Sequence, residues 1–332
     1  MEKSPGEPQP VASGAVEPAS FQDIAILSAE AVEKALTRAE AAEAVTAAIR
    51  AGLEPSQDPR RVAVGLAHGQ LLLMPSETSA SVGLKAATVA PANPTRGLPR
   101  IQAAYLLFDA DTLSLRAILD GTALTTLRTP AVSVAAAAAP LARFTQSVHL
   151  LVFGAGPQAV GHVQALNACG LVSLASVTFV LRAPERARGQ LPASATLVAA
   201  DDPSMAARLR RADVVVCATS SQVPLFDSRH LRTGAVVIAV GSHEPHAREL
   251  DGGALREADV VVEDVATAMR EAGDIVLAAS EGQLRPEDLI PMADVIRGRR
   301  TLDPSRTLVF KSTGMSWEDL VVAEAVMAAA SR

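Results

Sequence analysis

The sequence is poor in aromatic residues and contains only two cysteines. Aromatic side chains make up 3% of the 332 residues, so aliphatic side chains and alanine must fill the core. Cys169 and Cys217 do not form a Cys-x-x-Cys pair, which argues against a disulfide framework and against a zinc site. We therefore expect two reduced thiols in a cytoplasmic protein that binds no metal.

An excess of basic residues and long apolar runs are also absent. The net charge is -6, which disfavours nucleic acid or an anionic membrane as a partner. No run approaches the roughly 18 apolar residues of a membrane-spanning helix. The nearest, "AVSVAAAAAPLA", predicts a buried helix that ends near Pro140. The expected partner is a small molecule rather than nucleic acid or a membrane.

The first segment, "MEKSPGEPQPVASGAVEPAS", is rich in Pro, Gly, Ser and Glu and lacks the apolar core of a signal peptide. This composition predicts a disordered extension over residues 1–19. The following segment has apolar residues at helical spacing as far as Gly52, with Ser28 as a candidate N-cap. Short β-like runs separated by turn residues then predict a mostly antiparallel sheet.

The pattern changes near residue 143, where buried strands begin to alternate with helices. This alternation predicts an α/β fold, a Rossmann-type doubly wound parallel sheet over residues 143–300. We expect this sheet to be inserted in an α+β domain formed by residues 20–125 and 301–332. A linker helix over residues 126–142 joins the two domains.

The stretch "LLVFGAGPQAVGHVQAL" contains the motif G-x-G-x-x-A between a predicted strand and a predicted helix. In this context the motif indicates a dinucleotide site rather than a tight turn without a ligand. The first glycine permits the turn, and the second lets the backbone approach a pyrophosphate at the helix N-terminus. The candidate cofactor-binding residues of the turn are Gly154, Ala155, Gly156, Pro157 and Gln158.

The end of the second strand reads "FVLRAPERARG" and has no acidic residue at the position where a carboxylate binds the ribose of NAD. Arg182 and Arg186 stand there instead, and arginine suits a 2′-phosphate. We therefore favour NADP(H) as the cofactor, with NAD(H) as the alternative. Arg188 is better explained as part of a solvated helix face, and the same explanation stays open for Arg186.

Several motifs together resemble the ornithine cyclodeaminase/μ-crystallin family, from about residue 22 to the end of the chain. They are "ILDGTALTTLRTPAVSVAA", "FGAGPQAVGHVQAL", "AVGSHEPHARELD", "EAGDIVLA" and "FKSTGMSWED". The family includes ornithine and lysine cyclodeaminases, amino-acid dehydrogenases and reductases of cyclic ketimines. The resemblance implies hydride chemistry at the carbon next to a carboxylate, with a nicotinamide cofactor. It also implies a homodimer formed through the sheet of the first domain, which would bind the substrate.

The resemblance assigns the carboxylate of the substrate to Arg61, Lys85 and Arg128, with Met74 beside them. Arg60 stays open as an alternative to Arg61, and each cation alone would be explained as a solvated surface charge. Lys85 and Arg128 are also the implied catalytic residues. The matched positions along the cofactor are Thr129, Thr219, Ser220, Val240, Gly241, Ser312 and Gly314.

Two positions depart from the cyclodeaminases. His243 stands where they carry an aspartate, and Leu72 stands where they carry a glutamate. The loss of two carboxylates disfavours a diamine substrate, because a buried ammonium would lack partners. His243 is a candidate general acid or base, although it could only shape the pocket, and Glu244 beside it is a competing candidate. We expect His162 to serve packing.

The sequence thus predicts an NADPH-dependent reductase of cyclic ketimines, which forms proline or pipecolate from Δ1-pyrroline- or Δ1-piperideine-2-carboxylate. The first alternative is an open-chain amino-acid dehydrogenase or an ornithine or lysine cyclodeaminase. The second is a protein that binds NADPH and a small ligand without turnover, as μ-crystallin-like members can.

Overall fold

The computed structural model describes residues 24–331, so the predicted disordered extension lies outside the described residues. The first sheet has the spatial order β1-β6-β5-β4-β3-β2. Its strands are β1 (Ala25–Leu27), β2 (Val62–Leu66), β3 (Gly69–Glu77), β4 (Ser81–Val89), β5 (Ile101–Asp109) and β6 (Leu115–Asp120). Adjacent strands from β2 to β6 are antiparallel, as predicted. The short β1 was not predicted, and it pairs in parallel with β6.

Three helices accompany this sheet, α1 (Ala29–Ala35), α2 (Arg38–Arg50) and α3 (Gly121–Leu141). The Ser28 hydroxyl accepts the N–H of Ala31 at 3.3 Å and caps α1, which confirms the predicted N-cap. The linker helix α3 begins at residue 121, five residues earlier than expected. The reason is the carboxylate of Asp120, which accepts the N–H groups of Thr122 and Ala123 at 2.9 and 2.8 Å.

The second sheet is wholly parallel and follows the order β13-β12-β14-β11-β10-β7-β8-β9. Its strands are β7 (Val148–Phe153), β8 (Leu174–Leu181), β9 (Thr196–Ala199), β10 (Val214–Cys217), β11 (Val236–Ala239), β12 (Ala258–Val262), β13 (Leu289–Pro291) and β14 (Thr307–Lys311). Five of these strands, in the order β9-β8-β7-β10-β11, follow the Rossmann arrangement, which confirms the predicted fold class. The short edge strands β9 and β13 were not predicted.

Helices cover both faces of this sheet. They are α4 (Pro157–Ala168), α5 (Pro184–Ala187), α6 (Met205–Arg211), α7 (Gly252–Arg256), α8 (Val265–Glu271), α9 (Gly273–Ser280) and α10 (Met292–Ile296). Along β10, Val214 and Val216 belong to one apolar cluster, whereas Val215 and Cys217 belong to another. Alternate side chains therefore face opposite cores, which is why the strand is apolar throughout.

The C-terminal segment crosses between the domains. The expectation that residues 301–332 belong to the first domain is wrong for β14, because this strand pairs with β11 and β12 of the second sheet. The following helix α11 (Ser316–Ala330) packs against β3, β4, α2 and α3 of the first domain. The turn between β14 and α11 thus lies at the junction of the domains.

Within the described part of the chain, no helix combines the length and apolar character that a membrane crossing requires. The 21-residue α3 is instead buried in the protein, where it packs against α2, α4 and α11. Its small alanine side chains allow these helices to approach closely. This position brings the middle of α3, with Arg128 and Thr129, to the region between the domains.

Candidate active site

The order of the second sheet reverses between β7 and β10, and the chain leaves β7 through the predicted glycine turn. Gly154 has a φ of 106°, and a Cβ there would lie 2.5 Å from the carbonyl oxygen of Ala218. Only glycine fits this turn without strain. The turn therefore lies at the point where open α/β sheets bind their ligands.

Gly156 caps α4 without a side-chain hydrogen bond, and a Cβ there would meet no atom within 4 Å. Gly154, Ala155 and Gly156 line the cleft described below, so the N-terminus of α4 could bind an anion there. Pro157 begins the helix and lines neither of the cavities described below. Gln158 lines the smaller one, and its Oε1 is buried without a hydrogen bond from the described residues. These features fit the diphosphate and ribose of a dinucleotide.

A cleft of about 830 Å³ extends from the glycine turn across the ends of β8 and β10. Arg182 and Arg186 line it, whereas Arg188 does not, and no Asp or Glu belongs to its lining within residues 24–331. Both lining arginines are exposed and form no ion pair with another described residue. They could therefore bind a phosphate group.

A second cavity, of about 270 Å³, lies between the domains and shares Ala218, Thr219 and Ser220 with the cleft. The two cavities therefore adjoin at these residues. The structure brings most of the predicted substrate, catalytic and nicotinamide-side residues together here. The predicted residues that line this cavity are Arg61, Met74, Lys85, Arg128, Thr129, Gln158, Thr219, Ser220, Val240, Gly241, His243, Ser312 and Gly314.

Lys85 on β4 and Arg128 on α3 are buried and share the carboxylate of Asp319 on α11. Oδ2 of Asp319 is 2.5 Å from Nζ of Lys85, and Oδ1 of Asp319 is 3.3 Å from Nε of Arg128. Burial lowers the pKa of Lys85 to about 8, against the opposing effect of Asp319, and the charge of Arg128 lowers it further. Lys85 can therefore exchange a proton near neutral pH.

Arg128 also pairs with Glu318, the residue before Asp319. Burial alone would lower the pKa of Arg128, but Asp319, Glu318 and Glu263 together raise it. Burial, and next the charge of Glu263, raise the pKa of Glu318 well above its usual range. Arg128 is thus the permanent charge of this cluster.

Glu263 follows β12 and organises the turn after β14. It accepts the Ser312 hydroxyl at 2.6 Å and the N–H groups of Thr313 and Gly314 at 3.0 Å. Burial alone would raise the pKa of Glu263, but the hydrogen bonds from Glu318, Ser312 and Thr313 lower it. This ionised carboxylate fixes the three turn residues, which all line the cavity.

Arg61 lines the cavity, whereas its neighbour Arg60 is exposed and lines only a small adjoining pocket. Nη2 of Arg61 donates to the carbonyl oxygens of Thr313 and Gly314 at 3.2 and 2.7 Å and lies 2.8 Å from Glu271. Of the two candidate arginines, Arg61 is therefore the one that faces the cavity.

His243 lies in the loop after β11. Burial lowers its pKa, and the nearby positive charge of Arg61 lowers it further, against the raising effect of Glu244. The imidazole is therefore neutral at neutral pH and suited to accept a proton or a hydrogen bond. Glu244 is exposed and does not line the cavity. His162, in contrast, is buried between α4 and α3, where it bonds Gln158 and Ser133.

A buried carboxylate that the sequence interpretation missed ties the ends of β10 and β11 together. Glu249 accepts the N–H groups of Thr219 and Gly241, each at 2.7 Å. Asp274 accepts the N–H of Glu249 at 2.7 Å and lies 3.2 Å from Lys311. The motifs "HARELD", "EAGDIVLA" and "FKSTGM" contain these three residues, but only the fold shows that they support the cavity from behind.

Comparison with known proteins relates both domains to one family. A model of the ornithine cyclodeaminase/mu-crystallin family matches residues 22–332. An alanine dehydrogenase of Archaeoglobus fulgidus is 32% identical over 315 residues, 91% of this chain and 93% of that protein. A Δ1-pyrroline-2-carboxylate/Δ1-piperideine-2-carboxylate reductase of Azospirillum brasilense is 34% identical over 278 residues, 79% and 81% of the chains. The structure of Thermococcus litoralis Δ1-pyrroline-2-carboxylate reductase, in complex with NADH and L-proline, aligns with a TM-score of 0.82 at 25% identity. That alignment covers 92% of this chain and 97% of the other.

Proposed function

Because the chain belongs to the ornithine cyclodeaminase/mu-crystallin family, we propose that it is an NADPH-dependent reductase of cyclic ketimines. Its substrates are Δ1-pyrroline-2-carboxylate and Δ1-piperideine-2-carboxylate, and its products are proline and pipecolate. The observation that carries this proposal is the lining of the 270 Å³ cavity. Lys85, Arg128 and Arg61 line it, and no Asp or Glu does so within residues 24–331.

The three cations bind the carboxylate of the imino acid. Arg128 is buried and keeps its charge at every working pH, while Lys85 adds a second charge beside it. Met74 is the register partner of Lys85 on the neighbouring strand and offers an apolar wall to the ring. A planar carboxylate next to a flat, weakly polar ring matches these surfaces.

The cleft and the cavity together would hold the cofactor. When bound, it supplies the hydride that reduces C2 of the imine. The N-terminus of α4 and Thr129 bind its diphosphate, and Arg182 and Arg186 bind the 2′-phosphate of NADPH. The residues that line the nicotinamide are Thr219, Ser220, Val240, Gly241, Ser312 and Gly314. NAD(H) is the alternative cofactor, since it lacks only the phosphate that these arginines would bind.

Lys85 provides the proton for the imine nitrogen. Its pKa of about 8 leaves most of the side chain charged at neutral pH and makes the proton transferable. The neutral imidazole of His243 accepts a hydrogen bond from the ring nitrogen or from a proton carrier beside it. The residues thus fix the substrate by its carboxylate and protonate it on nitrogen, and orientation supplies much of the rate.

The cavity is poorly suited to ornithine or lysine cyclisation. A distal ammonium would meet Leu72 and the neutral His243 where a carboxylate is needed, and Arg61 and Lys85 would repel it. A second candidate function, an open-chain dehydrogenase, is favoured by the similarity to the Archaeoglobus alanine dehydrogenase along most of both chains. Formation of alanine from pyruvate, ammonia and NADPH would indicate that function.

We also propose a homodimer formed through the first sheet. The edge strand β2 is exposed at every residue, and Val62, Val64 and Leu66 expose 52%, 41% and 53% of their surfaces. An uncovered apolar edge strand is a liability in a monomer. A second copy of the chain would cover it.

The experiment that tests the function is NADPH oxidation by the purified protein with each of the two ketimines, in parallel with NADH. The expected result is turnover that prefers NADPH and is lost in Lys85→Ala. Turnover only with pyruvate and ammonia would indicate the dehydrogenase. NADPH binding without reduction of any imino or keto acid would refute both and leave a ligand-binding protein.

A further inference from the structure

Glu271 ends α8 in the second domain, and its carboxylate lies against the guanidinium of Arg61 from the first domain. Oε2 of Glu271 is 2.8 Å from Nη2 of Arg61, an ion pair without a hydrogen bond, and the side chains are 15% and 16% exposed. Because this ion pair bridges the domains beside the cavity, we infer that Glu271 is a positioning residue that holds Arg61 ready for the substrate carboxylate. The inference rests on the proposed function, which assigns that carboxylate to Arg61.

Arg61 needs such a partner because its own strand does not fix it. It precedes the edge strand β2, whose five residues are all exposed. Within one subunit, packing of β2 therefore does not determine where the guanidinium lies. Besides Glu271, the contacts that hold it within residues 24–331 are the carbonyl oxygens of Thr313 and Gly314, at 3.2 and 2.7 Å. Of these partners, only Glu271 carries a charge.

The contacts leave part of Arg61 available. All three use Nη2, and the structure gives Nε and Nη1 no hydrogen bond to another described residue. Their N–H groups remain for an acceptor in the cavity that Arg61 lines. A guanidinium anchored at one nitrogen presents its other donors in a fixed direction.

A second arginine, Arg270, also pairs with Glu271. Nε and Nη2 of Arg270 donate to Oε1 of Glu271 at 2.9 and 2.6 Å, so each carboxylate oxygen faces a different arginine. The group formed by Arg61, Arg270 and Glu271 keeps one excess positive charge. Glu271 can therefore orient Arg61 without making the site repel an incoming carboxylate.

The test compares Glu271→Gln with the wild type and with a control, Glu281→Gln. Glu281 pairs with Arg248 at 2.7 Å but is 43% exposed and remote from the cavity lining. Two quantities are measured for NADPH-loaded protein: KM for Δ1-piperideine-2-carboxylate, and Kd for pyrrole-2-carboxylate, a planar analogue that cannot accept hydride. Both should rise about tenfold in Glu271→Gln, since even a small displacement of a binding group weakens binding and catalysis. They should stay unchanged in the control.

The Kd for NADPH should not change in Glu271→Gln, which shows that the second domain remains folded. In an Arg61→Ala background the substitution should have no further effect on either constant. Unchanged values of KM and Kd in Glu271→Gln would overturn the inference. Lower values would also overturn it, because they would show that Glu271 competes with the ligand for Arg61. An equal effect in the Arg61→Ala background would also overturn it.

Failure of the proposed function gives a different result. A wild type that binds pyrrole-2-carboxylate but reduces no ketimine would refute the reductase proposal, and the Kd comparison would still decide the role of Glu271. A wild type that binds neither compound would overturn both proposals.

Discussion

Nζ of Lys85 lies 2.5 Å from Oδ2 of Asp319, and both side chains are buried between the first sheet and the C-terminal helix. The lysine is therefore not a free surface charge that happens to face a pocket. Burial, and next the charge of Arg128, lower the pKa of Lys85, whereas the carboxylate of Asp319 raises it. Changes at Asp319 should appear in the pH dependence of the reaction.

Asp319→Asn should shift the alkaline fall of kcat/KM to lower pH. In the wild type, activity should fall as the pH rises through about 8, where Lys85 loses its proton. Removal of the carboxylate lowers this pKa further, and we expect a shift of about one pH unit or more. The pH profile of ketimine reduction measures it. Glu324→Gln is the control, because Glu324 lies on the same helix but bonds Thr78, and an identical shift there would contradict the assignment.

Arg182→Ala should weaken binding of NADPH but not of NADH. A charge-assisted hydrogen bond to a phosphate contributes about 1.5–3 kcal/mol, so Kd for NADPH should rise by roughly 10- to 100-fold. Titration of the nicotinamide fluorescence with each cofactor measures both constants. Arg188→Ala, whose side chain does not line the cleft, should leave them unchanged. Equal weakening of NADH and NADPH would refute a 2′-phosphate contact.

Stability should fall in acid partly because of His162. Burial lowers its pKa from 6.5 to about 4, so the unfolded chain takes up this proton at a higher pH than the folded protein. Neutral His162 therefore contributes up to about 3 kcal/mol to the free energy of unfolding. This contribution is fully present above pH 6.5 and is lost as the pH falls toward 4. Urea unfolding across this range should give a shallower pH dependence for His162→Gln. The control His68→Gln, at an exposed histidine, should retain the pH dependence of the wild type.

Tyr105→Phe should stabilise the protein. The hydroxyl of Tyr105 is buried without a hydrogen-bond partner among the described residues. Leaving such a group unsatisfied costs about 1–3 kcal/mol, and removing it should recover roughly 1 kcal/mol. Chemical unfolding measures the gain. Gly83→Ala should instead lower the free energy of unfolding, since its Cβ would lie 1.9 Å from that hydroxyl. A lower free energy of unfolding for Tyr105→Phe would show that the hydroxyl is satisfied in solution.

The sequence indicated the glycine turn and the strand–helix alternation, because each has a local pattern. The cation set came instead from the resemblance to the family. The turn at Gly154 follows from steric limits that any strand-to-helix connection obeys. The position of β14 in the second sheet could not be predicted in this way. A buried apolar strand has the same pattern in any parallel sheet, and the order of strands is set by contacts between distant segments.

The buried carboxylates that support the site could not be predicted from the sequence either. Glu249 binds backbone N–H groups of two separate turns, and Glu263 binds two consecutive N–H groups of the turn after β14. Nothing in their neighbouring residues distinguishes them from surface acids. The family pattern placed Ser312, Gly314, Thr219 and Gly241 in the site. It did not reveal which side chains hold them there, because that depends on burial.

The place of β14 has a consequence for the order in which the chain can fold as it leaves the ribosome. Strands β12 and β13 are made before β14, yet β14 lies between them and β11. Until residues 307–311 emerge, these two strands have no edge of the sheet to join, and their apolar faces stay uncovered. The helix that follows, α11, also supplies Asp319 to Lys85. The segment from β14 to α11 therefore completes both the sheet and the site only after β12 and β13 have been made.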